Sequence, residues 1–296
     1  MRNFLLYILF VSCFVACTSK GAKKTENQTI AVSILPIQYL VDRVGGGDFE
    51  TVCIVPPGSS PETYEPTPAQ MRHLSRSEAY FQLGLLDFEQ ALEAGLAYNA
   101  PGLKNINLSD GLTLLEGHVH DHSHEGMDHH HAHGTDPHAW LSLSRMKNVT
   151  CRIAGTLAQI RPDSVQKYRR NAELIISSID SLDSRISDSF SGLNLKTFLI
   201  YHPFLSYFSD DYGLVQLAIE DEGKEPSAAH MKELVRLAEN LELTTVFYQH
   251  QANSNTVEAL AKEARLTPVA LDPLSYEWLS NMESIAESIY NSLNHE

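Results

Sequence analysis

Histidine is concentrated where this sequence carries little else. Eight of its 14 histidines fall between Gly117 and Gly134: His118, His120, His122, His124, His129, His130, His131 and His133. Asp121, Glu125 and Asp128 are interleaved with them. Neutral imidazole is the commonest protein metal ligand, so the tract is a metal signal. Almost nothing in it is apolar, and such a composition does not offset the entropy of ordering. A loop that binds metal weakly and unselectively is therefore expected. A tight site has to come from residues that a folded scaffold holds still.

Four other stretches carry ligand-type side chains: Pro61-Glu62-Thr63-Tyr64-Glu65-Pro66, Asp136-Pro137-His138-Ala139-Trp140-Leu141, Tyr201-His202-Pro203-Phe204 and Leu271-Asp272-Pro273-Leu274. Each also has a structural reading. Asp136 and Asp272 precede prolines, where aspartate often shapes a turn. His202 can cap a following helix, His138 can hold Trp140 or backbone groups, and Glu65 sits in a structural-looking context while remaining an alternative to Glu62. His250 follows another strand and is a candidate for lining a cleft or supporting a ligand. His73, His230 and His295 read as surface residues. Phe204, Tyr207, Phe208 and Tyr212 stand at helical spacing and read as core.

The elements that must position these residues follow from hydrophobic periodicity. Short apolar runs at 30–35, 49–55, 79–83 and 105–108 alternate with helical patterns at 37–44, 68–77 and 88–96. A second series places strands at 197–201, 214–219, 244–248 and 267–271, with helices at 204–211, 228–240, 255–265 and 282–293. Alternation of this kind predicts an α/β protein of two lobes, each a mostly parallel four-stranded sheet flanked by helices. Between them Val165, Tyr168, Ala172, Ile175, Ile179, Leu182, Ile186 and Phe190 recur at three- and four-residue steps. Pro162 suits the first turn and Gly192 the stop, giving one rigid helix of about 43 Å. Ligands of open α/β sheets bind beyond the carboxyl ends of strands. The four stretches lie at such edges, two per lobe, so their side chains are expected to converge in the cleft between lobes.

The N-terminus reads as a processing signal. Arg2 precedes an apolar run over 4–15, too short to span a membrane. It ends in Phe14-Val15-Ala16-Cys17, which resembles a bacterial lipobox with Cys17 as the lipidated residue. The expected organisation is a signal peptide at 1–16, a lipid-anchored tether at 17–28 and an N-terminal lobe at 29–160 containing the histidine loop 117–134. A linking helix at 161–192 and a C-terminal lobe at 193–296 complete it. Cys53 and Cys151, in a predicted strand and a predicted helix, can pair in an oxidising compartment or stay as buried thiols. The formal net charge of -15 argues against nucleic acid and anionic membrane surfaces as partners, both of which need basic patches.

Taken together, the Tyr64-Glu65-Pro66 and Asp136-Pro137-His138-Ala139-Trp140-Leu141 motifs resemble the metal-binding class of ABC-importer substrate-binding proteins, for zinc and manganese. The stretches 202–214, 220–227 and 271–274, the long helix and the position of the histidine-rich loop match too, so the resemblance runs from about residue 30 to the C-terminus. It implies two α/β lobes on a rigid helix with one metal ion between them, bound by Glu62, His138, His202 and Asp272. Zinc-binding members usually carry histidine where this chain has Glu62. Two imidazoles and two carboxylates form a harder set than three imidazoles and one carboxylate, which moves the site toward Mn(II) or Fe(II), while the histidine loop favours Zn(II). The resemblance further implies an extracytoplasmic monomer that hands its ion to a membrane permease. A secreted zinc enzyme and a metal-buffering adhesin are the alternatives. Against the enzyme stand four protein ligands, which leave little room for water, and the lack of a His-Glu-x-x-His motif.

Overall fold

A computed structural model of the chain describes residues 28–117, 134–220, 226–250 and 254–294. The segment read as a signal, Cys17, the eight tract histidines and His295 lie outside the described residues.

The N-terminal lobe runs β1 (Gln28–Val32), α1 (Leu35–Gly45), β2 (Phe49–Cys53), α2 (Pro68–Leu74), β3 (Ala79–Gln82), α3 (Asp87–Asn99) and β4 (Lys104–Asn107). Its strands pair in the order β2-β1-β3-β4, all parallel. Helix α1 stops at Gly46, whose φ of 57° places it in the left-handed region that glycine enters without a Cβ clash. A Cβ there would come within 2.8 Å of the Lys167 side chain, and Lys167 Nζ donates to Gly46 O at 2.9 Å. Helix α2 opens on a capping box: Thr67 Oγ1 accepts from Gln70 N–H, and Gln70 Oε1 accepts from Thr67 N–H. Gln70 also donates to Ile54 O at 2.6 Å, so the α2 start pins both ends of the loop that carries Glu62.

After a 3-10 turn at Ala139–Leu141 come α4 (Leu143–Ile160) and α5 (Val165–Ser191), then β5 (Thr197–Ile200), α6 (Ser206–Tyr212), β6 (Val215–Ala218), α7 (Ala228–Asn240), β7 (Thr245–Gln249), α8 (Ser254–Ala264), β8 (Thr267–Leu271) and α9 (Trp278–Leu293). The second sheet, β6-β5-β7-β8, is also parallel throughout. The two-lobed α/β fold read from the sequence is therefore the fold observed. Pro162–Ser164 forms a 3-10 turn, and the α-helix proper begins at Val165.

Packing ties the lobes together more closely than a bare connecting helix would. Helix α5 buries Tyr168, Ala172, Ile179, Leu182, Ile186 and Phe190 and packs on α4, α1 and α9. One hydrophobic core is continuous from Val32 and Phe81 through Trp140 and Ile179 to Phe247 and Trp278. Because alternate strand residues point to opposite faces, β5 sends Phe198 and Ile200 into this core. Leu199 and Tyr201 join a second core under α7 and α8. The last helix crosses back to the N-terminal lobe: Tyr276 Oη donates to Asp42 at 2.8 Å, and Arg43 pairs with Glu277 at 3.4 Å. At the seam, Arg145 of α4 is buried against Asp211 at 2.9 Å and Asp210 at 3.1 Å, with its guanidinium over the Tyr207 ring. Phe204, Tyr207 and Phe208 are fully buried, as their spacing predicts. Cys53 and Cys151 are unpaired; Cys53 is half-buried and Cys151 is exposed, so neither is the buried thiol that was expected.

Candidate metal centre

Three side chains from three separate segments meet at the seam. Glu62 comes from the loop after β2, His138 immediately precedes the 3-10 turn before α4, and His202 follows β5. One ligand atom from each lies within 4.8 Å of the others. Glu62 Oε1 is 2.9 Å from His138 Nε2 and 2.7 Å from His202 Nε2, and the two imidazole centroids are 5.2 Å apart. His202 Nε2 is buried and has no hydrogen-bond partner of acceptable geometry. A buried nitrogen held by an ion pair to Glu62 but by no well-aligned hydrogen bond is incompletely satisfied. Coordination of a cation would satisfy it.

Each imidazole is held from its other side by a carboxylate. His138 Nδ1 is 3.0 Å from Asp136 Oδ1, which also accepts the His138 backbone N–H at 2.9 Å. Asp136 thus fills the turn-shaping role read for it and a ring-orienting one besides. His202 Nδ1 contacts Glu220 Oε1. The His138 ring packs against Trp140 and Phe204 and is 5% exposed. Without an ion these contacts set the charges. Burial raises the Glu62 pKa, but the neighbouring His138 and His202 outweigh it and hold the carboxyl well below its usual range. Burial works against a charged His202, yet Glu220 and Glu62 push its pKa up to about 10. His138 is raised in the same sense by Asp136 and Glu62, against its own burial.

Asp272 does not join this group. It is exposed at the end of β8, and its Oδ1 accepts the Leu274 N–H at 3.0 Å, which is the turn-shaping role of an Asp-Pro pair. Its loop nonetheless lies against the His138 loop: Trp140 Nε1 donates to Pro273 O at 2.8 Å, and Trp278 Nε1 donates to Trp140 O at 2.8 Å. Glu65 is exposed and outside the group, while Tyr64 beside it bonds Gln70 at 2.9 Å and braces the loop. His250 is exposed and packs its ring near Tyr248, away from the group. The supporting residue on the His202 side is instead Glu220. Sequence reasoning left Glu220 without a role, although a carboxylate directly after a predicted strand was the available signal.

A cavity of about 610 Å³ adjoins the two histidines, lined by His138, His202, Glu220, His230 and Glu233 among others. His230, read as a surface residue, is half-buried on its wall. Gly117 and Gly134 line the rim, where Gly117 N–H donates to Gly134 O and Glu116 bridges to Thr135. The two residues that flank the histidine tract in sequence therefore stand at this cavity.

Two parallel α/β sheets with a donor group at their seam fit one class: a metal-binding substrate-binding protein of the ABC-importer type. The chain belongs to the family described as zinc-uptake complex component A, periplasmic, which matches residues 30–292. It is 27% identical over 290 residues to a putative metal-binding protein of Chlamydia trachomatis serovar D, covering 97% of this chain and 99% of that one. It is 24% identical to the zinc-binding protein AdcA of Streptococcus pyogenes serotype M3, over 98% of this chain but 59% of AdcA. The crystal structure of ZnuA superposes with a TM-score of 0.83 at 35% identity, covering 91% of this chain and all (100%) of that one. A zinc-bound ZnuA deletion mutant gives a TM-score of 0.81 at 34% identity, over 92% and 100% of the two chains. The family consists of extracytoplasmic metal-binding proteins that work with ABC importers, and the relatives named are described as metal- or zinc-binding proteins. No described helix is long and apolar enough to cross a membrane.

Proposed function

We propose that this chain captures Zn(II) between Glu62, His138 and His202 and delivers it to the permease of an ABC importer. The observation that carries this reading is the meeting of three donor atoms within 4.8 Å, one of them a buried nitrogen with no hydrogen bond. Asp272 is the fourth ligand, recruited from the turn in which its carboxylate now accepts the Leu274 N–H. Four protein ligands suit a tetrahedral ion held for transport, and leave no open position for catalysis. The protein works as a monomer anchored through a lipid on Cys17, after removal of a signal peptide at 1–16, with 17–28 as its tether. The histidines at 118, 120, 122, 124, 129, 130, 131 and 133 are auxiliary weak ligands that raise the local metal concentration.

Glu62 favours a second reading. A carboxylate at this position hardens the donor set and suits Mn(II) or Fe(II). Calorimetric titration of Zn(II) and Mn(II) separates the two. The expected outcome is one tight zinc site that disappears in His202→Ala. A tight manganese site with weak zinc binding would transfer the function to the harder ion, and weak binding of both would leave only a histidine-rich buffer.

A further inference from the structure

We propose that Glu220 is the positioning residue for His202, and thereby sets which imidazole nitrogen faces the ion. The inference rests on the capture reading above and adds to it a residue outside the ligand set.

Glu220 stands two residues beyond β6 and is held there by backbone bonds to the end of β5. Ile219 N–H donates to Ile200 O at 2.9 Å, and Glu220 N–H donates to Tyr201 O at 3.1 Å. The strand end that carries His202 is therefore stitched to the residue whose carboxylate meets its ring. The Glu220 side chain is 12% exposed and contacts His202 Nδ1. Neutral imidazole has one N–H, and a carboxylate on Nδ1 keeps it there. The lone pair is left on Nε2, the atom that faces Glu62 at 2.7 Å with no hydrogen bond of its own. Stacking on Phe204, with centroids 6.4 Å apart, limits ring rotation. The arrangement repeats that of Asp136 on His138, but its carboxylate comes from a different strand rather than from the same turn. Glu62, Asp136 and Glu220 together place three formal negative charges around two imidazoles, a setting for a divalent cation.

The test compares wild type, Glu220→Gln and Glu220→Ala in the full chain. Zn(II) is competed against a tight chromophoric chelator, so that the weak histidine tract does not register, and Co(II) absorption spectra report ligand geometry. Removing such an outer carboxylate lowers metal affinity by about 10- to 100-fold. Glu220→Ala is expected to lose affinity in that range and to alter the Co(II) spectrum. Glu220→Gln, whose amide carbonyl still accepts from Nδ1–H, should stay within a few-fold of wild type. Wild-type affinity and spectrum in Glu220→Ala would overturn the positioning role while leaving metal capture intact. Equal losses in both variants would also overturn it, by making the carboxylate a direct ligand. Failure of the wild-type chain itself to compete would sink the capture reading, and this inference with it.

Discussion

The two histidines of the centre are built differently. His138 is 5% exposed, and its orienting carboxylate, Asp136, lies two residues away in the same turn, where it also accepts the His138 backbone N–H. The loop is closed further by Tyr207, which donates to Asp136 O at 2.8 Å, and by Trp140, which reaches across to Pro273. His202 is more open, with 16% of its side chain exposed against 6% for His138, and depends on a carboxylate 18 residues onward, beside the cavity. A half-site contained in one buried turn folds with its lobe. A half-site assembled from two strand ends stays accurate only while those strands hold register. The His138 side is thus set within one turn, and the His202 side is the part whose geometry depends on strand register.

The largest effect that separates the halves is in His138→Ala. It should abolish tight metal binding and also destabilise the metal-free protein by about 1–3 kcal/mol, because buried Asp136 loses its partner. His202→Ala should abolish binding equally but cost less stability. Chemical denaturation of both variants without metal checks the difference, and equal losses would erase the contrast. Next in size, Asp136→Ala should weaken zinc binding by about 10- to 100-fold, as loss of a ligand's orienting group does, and should lower the melting temperature as well. Melting curves beside chelator competition read the two effects separately.

Trp278→Phe removes the indole N–H that bonds Trp140 O at 2.8 Å and replaces the fully buried bicyclic ring with a smaller phenyl ring. A stability loss of about 1–2 kcal/mol is expected from the unsatisfied carbonyl and altered packing. Metal affinity should fall little unless the Asp272 loop shifts with it. The smallest effect concerns pH. In the metal-free protein the pKa of His202 lies near 10, above its unfolded value of about 6.5. Its ion pairs therefore stabilise fully below about pH 6.5, and that contribution is lost as pH rises toward 10. Melting temperature measured without metal should decline across this window in wild type and be flatter in His202→Ala. Zinc binding has the opposite trend, since the ion must displace the His202 proton, so affinity falls as pH drops.

Much of this was legible in the sequence, for identifiable reasons. The strands and the long helix announce themselves through periodicity, and helix α7 has the bounds its pattern predicts, 228–240. Glu62, His138 and His202 were legible because ligand types at strand ends are few. Asp272 satisfied the same rule, yet its carboxylate is engaged by Leu274 N–H; an Asp-Pro pair reads identically whether it shapes a turn or binds an ion. Glu220 was hidden because its partner is 18 residues away, and only the register of β5 on β6 brings the two together. The merging of the lobes into one core was also out of reach, since it depends on Trp140 and Trp278 meeting across the chain.

Anomalous diffraction at the zinc edge, from crystals of the protein loaded with one equivalent of Zn(II), tests the central claim most directly. A single strong peak is expected at about 2.0–2.2 Å from Glu62 Oε1, His138 Nε2 and His202 Nε2, with a carboxylate oxygen of Asp272 completing the set. A peak elsewhere, with these three side chains still clasped to one another, would contradict it.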